Sequence, residues 1–127
     1  MKKLAYLCLF GTLLAAQSSC QTTKTPTQAG TTSRCADGLP VVRTVTSVAG
    51  IVHYDAQLQR YRIDAHQPGT TDVVDVGVVC GALPAAFQAE GRRVVFSGTY
   101  KRYANPPALL GGYTYYNLEL SNLQEAK

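Results

Sequence analysis

The segment Asp72–Cys80, DVVDVGVVC, sets Val74, Val76, Val78 and Cys80 on one side of an extended chain and Val73, Asp75, Gly77 and Val79 on the other. Both faces are largely apolar. A strand of this kind has to be covered on two sides, and a chain of 127 residues has few elements with which to do it. The neighbouring segments are short and extended as well. Val41–Tyr54, VVRTVTSVAGIVHY, is rich in β-branched residues and carries Gly50 inside it, where a bend is expected. Arg60–Ala65 alternates Tyr61, Ile63 and Ala65 against Arg60, Arg62 and Asp64. Asp55–Gln59 supplies a hairpin connection, and His66–Thr70 reads as the next turn.

After the central strand, Gly81–Gly91 (GALPAAFQAEG) has Leu83, Ala86, Phe87 and Glu90 at helical spacing, with Pro84 in a first turn and Gly91 as a stop. One short helix or helical turn is expected, with Leu83 and Phe87 plugging an end of the fold. Strand periodicity resumes at Arg92–Arg102, which sets Val94, Phe96, Gly98 and Tyr100 inward. A loop at Tyr103–Gly111 follows, then a last strand at Tyr113–Leu120 with Tyr116, Leu118 and Leu120 inward. Residues 121–127 read as a short polar tail.

Three strands, a helix and two strands within about 80 residues resemble the OB-fold barrel, through Gly50 in strand one, ALPAAF between strands three and four, and VVFSGTY in strand four. The resemblance implies a mainly β, five-stranded OB-like barrel with one short helix between strands three and four. An irregular β-sandwich would need a further strand around Cys35–Thr44. Closure favours the barrel because it removes exposed sheet edges.

The start of the chain concerns location. Lys2 and Lys3 precede 13 mostly apolar residues, Leu4–Ala16, and Gln17, Ser18, Ser19 and Cys20 follow. This is the layout of a secretory signal, and its apolar run falls short of the roughly 20 residues that cross a bilayer as a helix. Ser18, Ser19 and Cys20 resemble the lipobox of bacterial lipoproteins, in which the cysteine is acylated, with Gln17 where that pattern prefers Leu. The resemblance implies a palmitate-type lipid anchor on Cys20; a plain cleaved signal is the alternative. Gln21–Ser33, QTTKTPTQAGTTS, is polar and threonine-rich and suits a tether. The expected organisation is a signal peptide over 1–19, anchor and tether over 20–40, a barrel over 41–120 and a tail over 121–127. The combination VDVGVVC, LPAAF, VVFSGTY and YTYYNLEL is also similar to small envelope lipoproteins of Bacteroidetes-type bacteria. That likeness implies a membrane-anchored location in the bacterial envelope and no particular activity.

Loss of the signal and acylation of Cys20 would leave Cys35 and Cys80 as the two thiols of an exported domain. They either form a disulfide, worth about 2–4 kcal/mol for a loop of this length, or Cys80 is a small buried hydrophobe. No paired spacing of cysteines and histidines suggests a metal or other cofactor. Loss of Lys2 and Lys3 lowers the basic side chains from 12 to 10 against 8 acidic ones. The remaining charge of about +2 makes a nucleic-acid partner unexpected.

In OB-like barrels the outer face of strands two and three and the nearby loops bind oligonucleotides, sugars or proteins. Arg60, Arg62, Asp64 and Asp75 mark that face here, and Tyr103, Leu109, Leu110, Tyr113 and Tyr115 surround the longest loop. The mixed charges suit a protein, peptide or glycan better than a single-stranded nucleic acid. A purely structural role, with these residues covering the barrel, is the other reading. His53, Asp55, Asp64, His66, Asp72 and Asp75 are chemically competent side chains, and an uncharacterised hydrolase is the catalytic alternative. No nucleophile elbow, HExxH or phosphate loop accompanies them, and the histidines fall near turns, so the sequence points away from catalysis.

Overall fold

The computed structural model describes residues 36–108 and 111–127. The signal segment, Cys20, the tether, Cys35, Leu109 and Leu110 lie outside the described residues. Five strands form a closed barrel: β1 (Val41–Asp55), β2 (Arg60–His66), β3 (Val74–Val79), β4 (Arg93–Arg102) and β5 (Tyr113–Glu125), in the order β1-β2-β3-β5-β4. All neighbours are antiparallel except β3 and β5, whose parallel pairing closes the ring. This is the expected OB-like arrangement. The expected helix is a single 3-10 turn, Ala85–Phe87. Pro84 caps it in an extended conformation, and the chain leaves the turn at Gln88.

One strand serves two partners because β1 is long and bent. Its first part pairs with β4 as far as Ile51, and Ile51–Asp55 pairs with β2. Gly50 sits at this change of partner, where a Cβ would lie 2.5 Å from Ile63 Cγ2. Glycine is therefore required for close approach as much as for bending. A second irregularity, between Val45 and Val48, holds Ser47 at a φ of 53° with its backbone N–H donating to Ser97 Oγ. It adds a bulge to β1 that composition alone does not reveal.

The interior is built from Val52, Ile63, Ala65, Val79, Val94, Phe96, Tyr100, Leu118 and Leu123. Leu83 and Phe87 close the end at which β3 finishes, as expected. The last strand runs beyond Leu120 and corrects the expected polar tail. Ser97 pairs with Asn122 and Gly98 with Leu120, so one extra residue on β5 shifts the inward parity. Leu123 then enters the core opposite Phe96. The domain also begins before residue 41, since Ala36 is buried and its carbonyl accepts from the Leu39 N–H at 3.1 Å.

Asp75 needs a further correction. Its register partner Ala65 is a core residue, which places Asp75 inside the barrel rather than on the outer face with Arg62 and Asp64. There it forms an ion pair with Arg43 and accepts a hydrogen bond from Gln67 Nε2 at 2.9 Å. Arg43 also lies over the Tyr100 and Tyr116 rings, 5.2 and 5.8 Å from their centroids. Bonding across the barrel explains the buried acid without any chemistry at it.

Candidate functional site

The outer face of the barrel is read from register. On β2, Arg62 and Asp64 stand beside Val78 and Val76 of β3; on β5, Tyr115 stands beside Val76 and Asn117 beside Val78. Val76 and Val78 point outward and yet are fully buried. Arg62 and Tyr115 reach toward each other over them, and Arg62 Nη1 donates to the Tyr115 hydroxyl at 2.8 Å. Tyr103, from the connection between β4 and β5, meets the Tyr115 ring edge to face at 5.9 Å. Both faces of β3 are thereby covered, as its composition demanded.

The sheet brings charged groups to this roof. Arg62 lies 3.6 Å from Asp55 Oδ2 and 3.5 Å from Asp64 Oδ1, at ion-pair rather than good hydrogen-bond geometry. Among the described residues its one side-chain hydrogen bond is the one to Tyr115. Asp64 Oδ1 is buried without a hydrogen-bond partner. Burial pushes the Asp64 carboxyl above its ordinary range, and the opposing charges of Arg62 and His53 offset this only in part. Burial likewise raises the Tyr115 phenol.

On the adjoining strand, His53 bridges two acids. Its Nδ1 lies 2.5 Å from Glu90 Oε1, and its Nε2 lies 3.9 Å from Asp64 Oδ2. Glu90 also accepts the Tyr54 backbone N–H at 2.9 Å. The His53 hydrogen bond, followed by that amide, holds the Glu90 carboxyl below the usual range. The acids occupy opposite edges of the imidazole and do not converge on one point. Among the described residues no group of three or more His, Cys, Asp or Glu is placed to hold a metal ion.

Of the residues singled out from sequence, Arg62, Asp64, Tyr103 and Tyr115 come together. Arg60 is exposed at the start of β2, opposite Asp55, and Tyr113 is exposed beside Val74 at the start of β5. Neither joins the Arg62 cluster. His53 lies within β1, inside the strand expected over Val41–Tyr54, but it is half-buried rather than solvated and stands with Asp55 and Asp64 around Arg62. His66 and Asp72 remain exposed and apart from it. Glu90 was not legible as a site residue, because nothing local in the sequence ties it to His53.

No protein-family model matches the sequence, and no curated protein matches it either.

Proposed function

We propose that the chain is a lipid-anchored module of a bacterial envelope that binds a protein, peptide or glycan through the outer face of β2, β3 and β5, and that it catalyses no reaction. The observation that carries the reading is the meeting of Arg62, Asp64, Tyr115 and Tyr103 on that face. Aromatic edges and a partly satisfied ion cluster at one place are what a recognition surface uses. Two carboxylates, on Asp55 and Asp64, flank Arg62 there, and Glu90 adds a third beyond His53, an arrangement that repels phosphate backbones and disfavours single-stranded nucleic acid.

The anchor rests on Ser18, Ser19 and Cys20 after the apolar run. Among the described residues no helix is long and apolar enough to cross a membrane. The acyl chains on Cys20 would supply attachment, and residues 21–33 the reach. Pairing of Cys35 with Cys80 fits the same picture of an exported domain. Cys80 follows the outward parity of Val76 and Val78, and its N–H donates to the Leu118 carbonyl at 2.8 Å. Lys101 Nζ donates both to Glu119 Oε1 at 2.8 Å and to the carbonyl of Ala36, the neighbour of Cys35, at 3.5 Å.

Replacing Tyr115 by a photo-cross-linking residue in envelope preparations tests the binding role, with the exposed Gln124 position as control. Adducts at position 115 alone support it. Adducts at neither position leave the purely structural role. Membrane release and loss of lipid mass in Cys20→Ala test the anchor, which fails if the wild-type chain carries no lipid. Non-reducing peptide maps test the Cys35–Cys80 link, which fails if two alkylatable thiols are recovered.

A further inference from the structure

The cluster over β3 is unevenly satisfied. Arg62 is shared between Asp55 and Asp64 at 3.6 and 3.5 Å, and its side-chain hydrogen bond goes to Tyr115 instead. Asp55 Oδ1 is already occupied by the Gln57 and Leu58 backbone N–H groups, at 3.0 Å each. Asp64 Oδ1 has no such partner. Glu90 adds a third negative charge across His53, and Arg60 stands exposed at the strand end with no ion pair among the described residues. The face is therefore short of one well-placed cation.

Resting on the binding role argued above, we propose that this face recognises a peptide segment of a partner protein in which a Lys or Arg adjoins an apolar side chain. The incoming cation takes Asp64 and displaces Arg62 from it. The bridge between Arg62 and Tyr115, held by one hydrogen bond, then swings off Val76 and Val78. The strip so uncovered, with the Tyr115 and Tyr103 rings beside it, receives the apolar neighbour. Charge complementarity selects the partner, and the valines add area that only the correct partner uncovers.

The partial burial of Asp64 supports this choice. Its carboxyl is held above the ordinary range because nearby positive charge does not compensate its desolvation. A cation hydrogen-bonded to Oδ1, better placed than Arg62 at 3.5 Å, meets that deficit, whereas an anionic group would enlarge it.

The test uses the full chain in detergent micelles with methyl-labelled valines, titrated with three probes: an alternating Lys-Leu peptide, its Glu-Leu counterpart and a neutral N-acetylglucosamine oligomer. The Lys-Leu peptide is expected to shift the Val76 and Val78 methyl signals. Asp64→Asn should weaken this binding about fivefold or more. Arg62→Gln should strengthen it by about two- to fivefold, because the competing cation is gone. Methyl dispersion of each variant verifies that it is folded. Weaker binding of the basic peptide by R62Q overturns the exchange of cations. Shifts caused by the acidic peptide or the saccharide, with none from the basic peptide, overturn the inference and leave the face as a binding site. Absence of shifts with all three probes removes both.

Discussion

Arg43 of β1 and Asp75 of β3 form an ion pair across the part of the barrel where β1 has parted from β2. The two strands pair only from Ile51 to Asp55, so the upper seam is joined by side chains, with Gln67 completing the contact. The partners are unequally buried, the side chains being 39% and 4% exposed. Arg43→Ala should cost about 2–4 kcal/mol, because it leaves a buried carboxylate uncompensated. Asp75→Asn should cost only about 1–2 kcal/mol, since Arg43 can turn to water and the amide can keep the Gln67 contact. Urea denaturation of the two variants gives the order, and an equal or reversed order would show that the seam is held in some other way.

Tyr100 allows a test by pH. Its ring is inside the barrel, its hydroxyl is buried without a hydrogen-bond partner, and burial pushes its ionisation up to about 12. The ordinary phenol of the unfolded chain ionises near 10. The folded state holds the proton longer, so this contribution is complete below pH 10 and is lost as pH rises from 10 toward 12. The loss amounts to roughly 2 kcal/mol. Tyr100→Phe should be neutral or stabilising by about 1 kcal/mol at pH 7 and should abolish the alkaline loss that Tyr100 contributes. Denaturation curves at pH 8, 10 and 11.5 compare the two proteins.

Gly77 faces the interior with no room for a side chain. A Cβ there would stand 2.7 Å from Leu118 Cδ2 and 3.0 Å from the Tyr100 ring. Gly77→Ala should destabilise the barrel by about 1–3 kcal/mol through overpacking. Combining it with Leu118→Ala should recover part of that cost. Strictly additive losses in the double variant would argue against the shared space.

Leu123 stands in the stretch whose sequence looks like a polar end. Leu123→Ala should cost about 2–4 kcal/mol, since the side chain is 1% exposed and packs in the core. A chain ending at Ser121 loses the pairs from Ser97–Asn122 to Val94–Glu125 as well. It should show no cooperative thermal transition. A variant as stable as the parent would return these residues to the status of a tail.

Sequence pattern located all five strands and the inward rows of β2 and β4, because alternation persists wherever pairing is regular. It failed where a single residue is inserted. The bulge near Ser121 reverses the parity of β5 and hides Leu123, and Ser47 does the same to β1. Asp75 was misplaced for another reason: both faces of β3 are apolar, so the pattern could not say which one looks inward. At the site, Arg62 and Asp64 were legible as neighbours on one strand face. The partnership of His53 with Glu90 depends on how the connection after the 3-10 turn folds back over β1, which periodicity does not encode.

The parallel pairing of β3 with β5 also orders events in time. β4 lies between them in the chain, so the ring cannot close until β5 has docked against β4 or arrived independently. Such non-local closure is slow compared with hairpin formation. Meanwhile VDVGVV, with one charge in six residues, is open on both faces and along an edge, the kind of segment that stacks with copies of itself. Slower completion of the barrel therefore lengthens the exposure of this segment, the condition under which such strands self-associate.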